Sequence, residues 1–287
     1  MQPIIILSAG RSGSKLARSF VGRFSDVYEI PFDIGYVWTR SLLMDTNEEY
    51  VSELNDDFNY SETRRHIDKI INSHKKPHHK FFVEKSVPNS LRPEIIRKVY
   101  PDAKIICLVR NPYAVFESTL RVWNTPPKYG YLFKKFLYAP NFDLKYLLKL
   151  ISNIAVKLFV KSPSPSVNGS WGPKYMGMTA DLLTEDLEIV VAKQVYHCSK
   201  SVLGYDRSDK NCFFIKYEDL LLDHLEREKL LKFCGLEAAD DFQDKLAEFE
   251  QEIDTENMYK WQKILIKSSE ANKILRKTGL LLNYENI

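Results

Sequence analysis

The chain has 287 residues, 44% of them hydrophobic and 13% aromatic, enough to bury a sizeable core and to exclude global disorder. A net charge of only +3 argues against a nucleic-acid-binding protein, although a local basic cleft for a polyanionic ligand stays open. The four cysteines, Cys107, Cys198, Cys212 and Cys234, show neither a CxxC pair nor a zinc spacing. They fit a reduced, cytoplasmic protein, with Cys107 a core residue. No signal peptide is visible. The apolar stretch Leu144 to Val160 is broken by Lys145, Lys149 and Lys157, so no integral membrane segment is expected.

The run Ile4-Ile5-Ile6-Leu7 reads as a buried strand, and Leu16 and Phe20 open an amphipathic helix. Between them Ser8-Ala9-Gly10-Arg11-Ser12-Gly13-Ser14-Lys15 gathers backbone N–H groups, hydroxyls and two cations at a helix N-terminus. Such a loop is an anion site, because first-turn N–H groups lack partners and the helix dipole is positive there. Val27 to Asp33 is strand-like and carries Glu29 and Asp33. Residues 36–75 are helical in pattern, with an acidic surface run at Glu48, Glu49, Glu53, Asp56 and Asp57. Phe81 to Ser86 reads as a strand ending in Glu84-Lys85-Ser86, followed by a helix to about Val99.

Ala103 to Arg110 is the clearest buried strand, followed by Asn111-Pro112 and a helix from about Tyr113 to Val122. This alternation predicts a single-domain α/β fold over 1–287, a central mainly parallel β-sheet flanked by helices. In such sheets ligands gather at the carboxyl ends of the strands, where Arg11, Glu29, Lys85 and Arg110 emerge. Residues 124–180 form a variable, aromatic and basic insert, read as substrate-binding. Its lysines 145, 149, 157 and 161 share one helical face, and Ser162-Pro163-Ser164-Pro165-Ser166 interrupts it. An ordinary surface helix or substrate lid suits those lysines better than a membrane-surface helix. Trp171-Gly172-Pro173-Lys174-Tyr175 is either a substrate-facing turn or an aromatic packing point. Leu183 to Val202 predicts one long helix, Asn211 to Lys216 a strand, and the remainder through Leu246, Trp261 and Leu275 mostly helix.

The phosphate loop departs from the nucleoside-triphosphatase pattern. No hydroxyl follows Lys15, and the strand where a magnesium-binding Asp is wanted ends in Arg110. Cations and N–H groups without a metal are the better reading, with a magnesium-dependent P-loop kinase or a non-catalytic nucleotide-binding module as alternatives. Ser118, eight residues after Arg110, completes a second anion clamp, unless the pair only satisfies helix carbonyls and a cap.

These paired elements resemble the sulfotransferases that use 3′-phosphoadenosine 5′-phosphosulfate (PAPS). Gly10-Arg11-Ser12-Gly13-Ser14-Lys15 is similar to their 5′-phosphosulfate loop, with Arg in the first cationic place. Arg110-Asn111-Pro112 with Ser118 is similar to their 3′-phosphate element, and Tyr217-Glu218-Asp219-Leu220 to the stretch whose tyrosine sits near the adenosine. Glu84-Lys85-Ser86 looks more like the carbohydrate, tyrosylprotein and bacterial branches than the hepatic cytosolic one. The resemblance covers 4–20, 81–121 and 211–222; within 124–180 it assigns nothing.

The resemblance implies PAPS as donor, adenosine 3′,5′-bisphosphate as product, and sulfuryl transfer to a hydroxyl or amine of a small-molecule, sugar or lipid acceptor. Arg11 and Lys85 would stabilise charge on the leaving phosphate, with Arg11 acting electrostatically since it keeps its proton at neutral pH. Glu29 stands in the place of the general base, with Asp33 as fallback and His66, His74, His78 or His79 as the histidine option. No nucleic-acid partner and no metal are expected, and a homodimer is compatible with the reading.

Overall fold

The computed structural model describes residues 1–38, 59–125, 138, 171–255 and 258–284. Five parallel strands build one sheet among them: β1 Gln2–Leu7, β2 Val27–Glu29, β3 Phe81–Glu84, β4 Lys104–Val109 and β5 Cys212–Lys216. Their spatial order is β2-β3-β1-β4-β5. Leu7 aligns with Cys107 of β4 and Ile5 with Glu84 of β3. The apolar runs of β1 and β4 form strands because both faces of a parallel sheet are covered by helices. Ile4 and Ile6 pack with Ala17 and Phe20 of α1 (Ser14–Gly22) on one face. Ile5 and Leu7 pack on the other with Ile67 and Ile71 of α3 (Tyr60–His74) and Ile95 and Ile96 of α4 (Pro93–Val99). Between α1 and α3 lies the single turn α2 (Gly35–Trp38).

A second core forms where α5 (Pro112–Trp123), α7 (Leu187–Leu203) and α8 (Ser269–Leu281) meet, through Phe116, Val191, Val195 and Leu275. The α/β, mainly parallel architecture is therefore as expected, and Cys107 is fully buried. From β1 the sheet extends to β3 and β2 on one side and to β4 and β5 on the other. That reversal is a switch point, the place at the strand carboxyl ends where open α/β sheets take their ligands.

Two elements differ from the sequence expectation. The helix expected over Leu183 to Val202 is two helices, α6 (Met178–Thr184) and α7, broken where Glu185 is extended and Asp186 serves as N-cap. Leu183 is exposed while Val190 and Val191 are buried, so the two segments bury different faces. Strand β2 stops at Glu29, short of Pro31, although the Ile30 N–H still donates to the Val83 carbonyl at 3.1 Å. The acidic run Glu48 to Asp57, the stretch Leu144 to Val160 and the Ser162-Pro163 segment lie outside the described residues. Of the 124–180 insert, 124–125, 138 and 171–180 are described. No helix among the described residues is long and apolar enough to cross a membrane.

Candidate active site

The loop after β1 enters α1 through two left-handed backbones, Arg11 at φ 71° and Gly13 at φ 88°. Gly13 is needed for two reasons. It takes a backbone conformation that L side chains rarely adopt, and a Cβ there would lie 2.2 Å from the Tyr217 ring. Its carbonyl accepts the Leu16 and Ala17 N–H groups at 2.9 and 3.1 Å, and no side chain caps α1. With no acidic residue in the first turn, the positive end of the helix faces the loop. Ser12 and Ser14 are buried within it.

Arg11 and Arg110 tie this loop to the end of β4. Arg110 donates from Nη1 to the Arg11 carbonyl at 3.3 Å, and Arg11 Nε donates to Ser118 Oγ of α5 at 2.9 Å. Ser118 thus meets Arg11 rather than Arg110, which makes one clamp of the two elements. The Arg110 guanidinium lies 4.2 Å over the Tyr217 ring, a cation–π contact, while its buried Nε has no partner among the described residues. Partial burial, and after it Arg121 and Arg110, hold the Arg11 pKa below its ordinary value. Lys15 is lowered likewise, first by burial, then by Lys85, Arg11 and Arg18, with Asp33 opposing. After burial, the lowering reflects the mutual repulsion of cations that follow β1, β3 and β4.

Lys85, only 5% exposed, reaches Asp33 Oδ2 at 3.4 Å. The same oxygen accepts the Val87 N–H at 3.0 Å, and Asp33 Oδ1 accepts the Gly35 N–H at 2.9 Å. Glu29 is placed otherwise. Its Oε1 accepts from Arg18 Nε at 2.8 Å, and the side chain lies against Gly22, where a Cβ would meet it at 2.8 Å. Glu84 is fully buried, accepts from the Ser86 hydroxyl, and is pushed up to about 7 by burial. Among the histidines, His78 and His79 precede β3, and His74 ends α3 just before them. That is the amino-terminal edge of the sheet, away from the strand carboxyl ends.

Three further parts of the site come into view: the Trp171 turn, which the sequence left open between substrate-facing and packing roles, and two that it did not point to, Arg121 and Glu218. Trp171 lies over Gly10, where a Cβ would meet its ring at 2.9 Å. Buried Gln194 holds that turn by donating to the Trp171 and Pro173 carbonyls at 2.9 and 2.8 Å. Arg121 follows Ser118 by three residues on α5, a helical spacing that places it beside Arg11 and was legible. Glu218 Oε1 accepts the Asn111 N–H at 3.3 Å, inside a stretch already singled out for its tyrosine.

Residues 3–147 match the model of the sulfotransferase family, and the chain belongs to that family. Two solved structures are similar over nearly the whole chain. The sulfotransferase domain from the curacin biosynthetic pathway is 16% identical, with 99% of both chains covered and a TM-score of 0.50. Sulfotransferase STF9 from Mycobacterium avium is 12% identical, with all of this chain and 77% of that one covered, at 0.53. At such identities the likeness is one of fold. No curated protein sequence matches the chain.

The residues present suit a donor with phosphates at both ends of a nucleoside. Arg11, Lys15, Lys85 and Arg110 supply charge around the loop, and the buried Arg110 Nε, without a partner among the described residues, is a donor left for an anion. Among the described residues no group of His, Cys, Asp and Glu could hold a metal ion.

Proposed function

We propose that this chain transfers a sulfuryl group from PAPS to an acceptor hydroxyl, with Arg11 and Lys85 as electrostatic catalysts and a carboxylate as general base. The observation that carries the reading is the joined clamp in which Arg110 stacks on Tyr217 and bonds the Arg11 carbonyl while Arg11 bonds Ser118. It joins the two loops that the sequence pattern assigns to anions.

When bound, PAPS supplies the activated sulfuryl group and a phosphate leaving group. The α1 N-terminus, Ser14 and the N–H groups of Gly10, Arg11 and Gly13 would hold its 5′ end, the Ser12 N–H being spent on the Ala9 carbonyl at 3.3 Å. Arg110 and Ser118 would hold the 3′-phosphate, and Tyr217 would serve the adenosine. The Arg11 guanidinium and Lys85 ammonium would hold the phosphate of the donor and stabilise the charge left on it when the sulfuryl group departs. The acceptor oxygen forms the new S–O bond while its proton passes to a carboxylate. Glu29 is the choice by position after the first helix; Asp33 is the one in contact with Lys85, and we assign the base to Asp33 on that ground. The aromatic, basic stretch 124–180 is the part of the chain assigned to the acceptor, a small molecule, sugar or lipid. The four widely spaced cysteines, with no CxxC pair, support a cytoplasmic enzyme.

Thermal unfolding with ligands in EDTA tests the reading. A ligand at about 100 times its Kd adds about 2.7 kcal/mol, a rise of several degrees in Tm for a protein of this size. Adenosine 3′,5′-bisphosphate is expected to give that rise without magnesium. Stabilisation by ATP that requires magnesium, with none from the bisphosphate, would overturn the proposal in favour of a kinase. Binding without any acceptor-dependent release of bisphosphate would leave a nucleotide-binding module.

A further inference from the structure

The last described helix ends in a turn that reaches back to the 3′-phosphate arm. Asn283 takes a left-handed backbone at φ 55°. Its N–H donates to the Leu280 carbonyl at 3.2 Å, and the Tyr284 N–H to the Gly279 carbonyl at 2.9 Å. Together these form a Schellman turn with asparagine in the position glycine usually fills. The turn is fixed from outside as well. Lys216, the last residue of β5, donates to the Asn283 carbonyl at 2.9 Å, and its ammonium lies 4.7 Å over the Tyr284 ring.

So held, the Tyr284 hydroxyl donates to Glu218 Oε2 at 2.5 Å, while Glu218 Oε1 accepts the Asn111 N–H. Asn111 in turn caps α5, its side chain accepting the Tyr113 and Ala114 N–H groups at 3.0 and 3.4 Å. Arg110, the preceding residue, lies over Tyr217, the neighbour of Glu218. The bridge Tyr284–Glu218–Asn111 therefore fixes the turn from which Arg110 projects.

We propose that Tyr284 is a positioning residue for the 3′-phosphate arm, and that through Glu218 it sets the preference for a 3′,5′-bisphosphorylated adenosine over its 5′-monophosphate. The inference rests on the proposed donor. A carboxylate held from one side by a phenol and from the other by a backbone N–H has little freedom, and the Arg110–Asn111 backbone inherits that restraint. Burial, with Glu218 adding to it, raises the Tyr284 pKa, so the phenol stays a donor throughout the working range. The 5′ end of the ligand would be held by the β1 loop, which Tyr284, Glu218 and Asn111 reach only at second hand, through Arg110 on the Arg11 carbonyl and Tyr217 against Gly13. Loss of the bridge should be felt chiefly at the 3′ end of the ligand.

The experiment is calorimetric titration of the full chain and its Y284F and E218Q variants with adenosine 3′,5′-bisphosphate and with adenosine 5′-monophosphate. Y284F keeps the ring and removes only the donor. Losing one hydrogen bond to a carboxylate is expected to weaken the bisphosphate about tenfold and the monophosphate less than about twofold. E218Q breaks the bridge at its middle and is expected to lower the same ratio, which keeps the test available if Y284F melts early. Equal weakening of both ligands, or an unchanged ratio, would overturn the inference and leave the donor reading intact. A wild-type chain with no preference for the bisphosphate overturns both.

Discussion

Asp33 and Glu29 stand four residues apart and serve different partners. Strand β2 ends at Glu29, so that side chain turns onto α1, where Gly22 makes room and Arg18 pairs with it. Asp33, beyond Pro31, has left the strand and reaches Lys85 at the end of β3. Position along the chain favours Glu29 as base; the point at which the strand stops favours Asp33. D33N is expected to lower acceptor-dependent release of bisphosphate by about 100-fold or more, with bisphosphate affinity little changed. E29Q is expected to show chiefly in stability. It leaves Arg18, 8% exposed, without its charged partner at a cost of about 1–3 kcal/mol, read from urea unfolding. The reverse pattern, an inactive E29Q beside an active D33N, returns the base to Glu29.

At the scale of the element, the β1 loop works because its glycine is also the seat of Tyr217. In G13A the new Cβ would sit 2.2 Å from that ring and the backbone would be held at φ 88°, so Tyr217 and the Arg110 stacked on it must move. The backbone alone costs about 1–2 kcal/mol, and bisphosphate affinity is expected to fall more than about tenfold. Calorimetric titration measures the second, and normal affinity would show that the Gly13–Tyr217 contact does not shape the site. This loop was legible in the sequence because its donors, glycines and cations are neighbours in the chain. Arg110 and Ser118 were legible for the same reason, although Ser118 turned to Arg11. The Gln194 grip on Trp171 and the Tyr284 bridge were not, because their members are brought together only by the packing of α7 and α8. The break at Glu185 was hidden too. Apolar residues continue across it from Leu182 to Val190, so periodicity alone does not see a change of face.

Taken whole, the molecule is a sheet whose central strands were plain from their apolar runs, and whose order was not, since no local pattern states which strand lies beside which. That order matters for stability because it encloses Glu84. Strand β3 lies between β2 and β1, and its last residue is a carboxyl with no exposed surface. Burial raises its pKa from 4.5 to about 7, Asp33 adds to the rise, and the Ser86 hydroxyl and Lys85 oppose it. The folded chain therefore keeps a proton that the unfolded chain releases from about pH 4.5 upward. Stability from this group is fully present below pH 4.5, declines as pH rises toward 7, and changes no further above it. The window from 4.5 to about 7 corresponds to about 3 kcal/mol. E84Q, which carries no proton to lose, is expected to gain on the wild type by that order between pH 5 and pH 8 whatever its absolute stability. Urea unfolding of both chains across that range measures the difference. Two parallel pH profiles would mean that Glu84 is ionised in the fold, with Lys85 as its counter-charge.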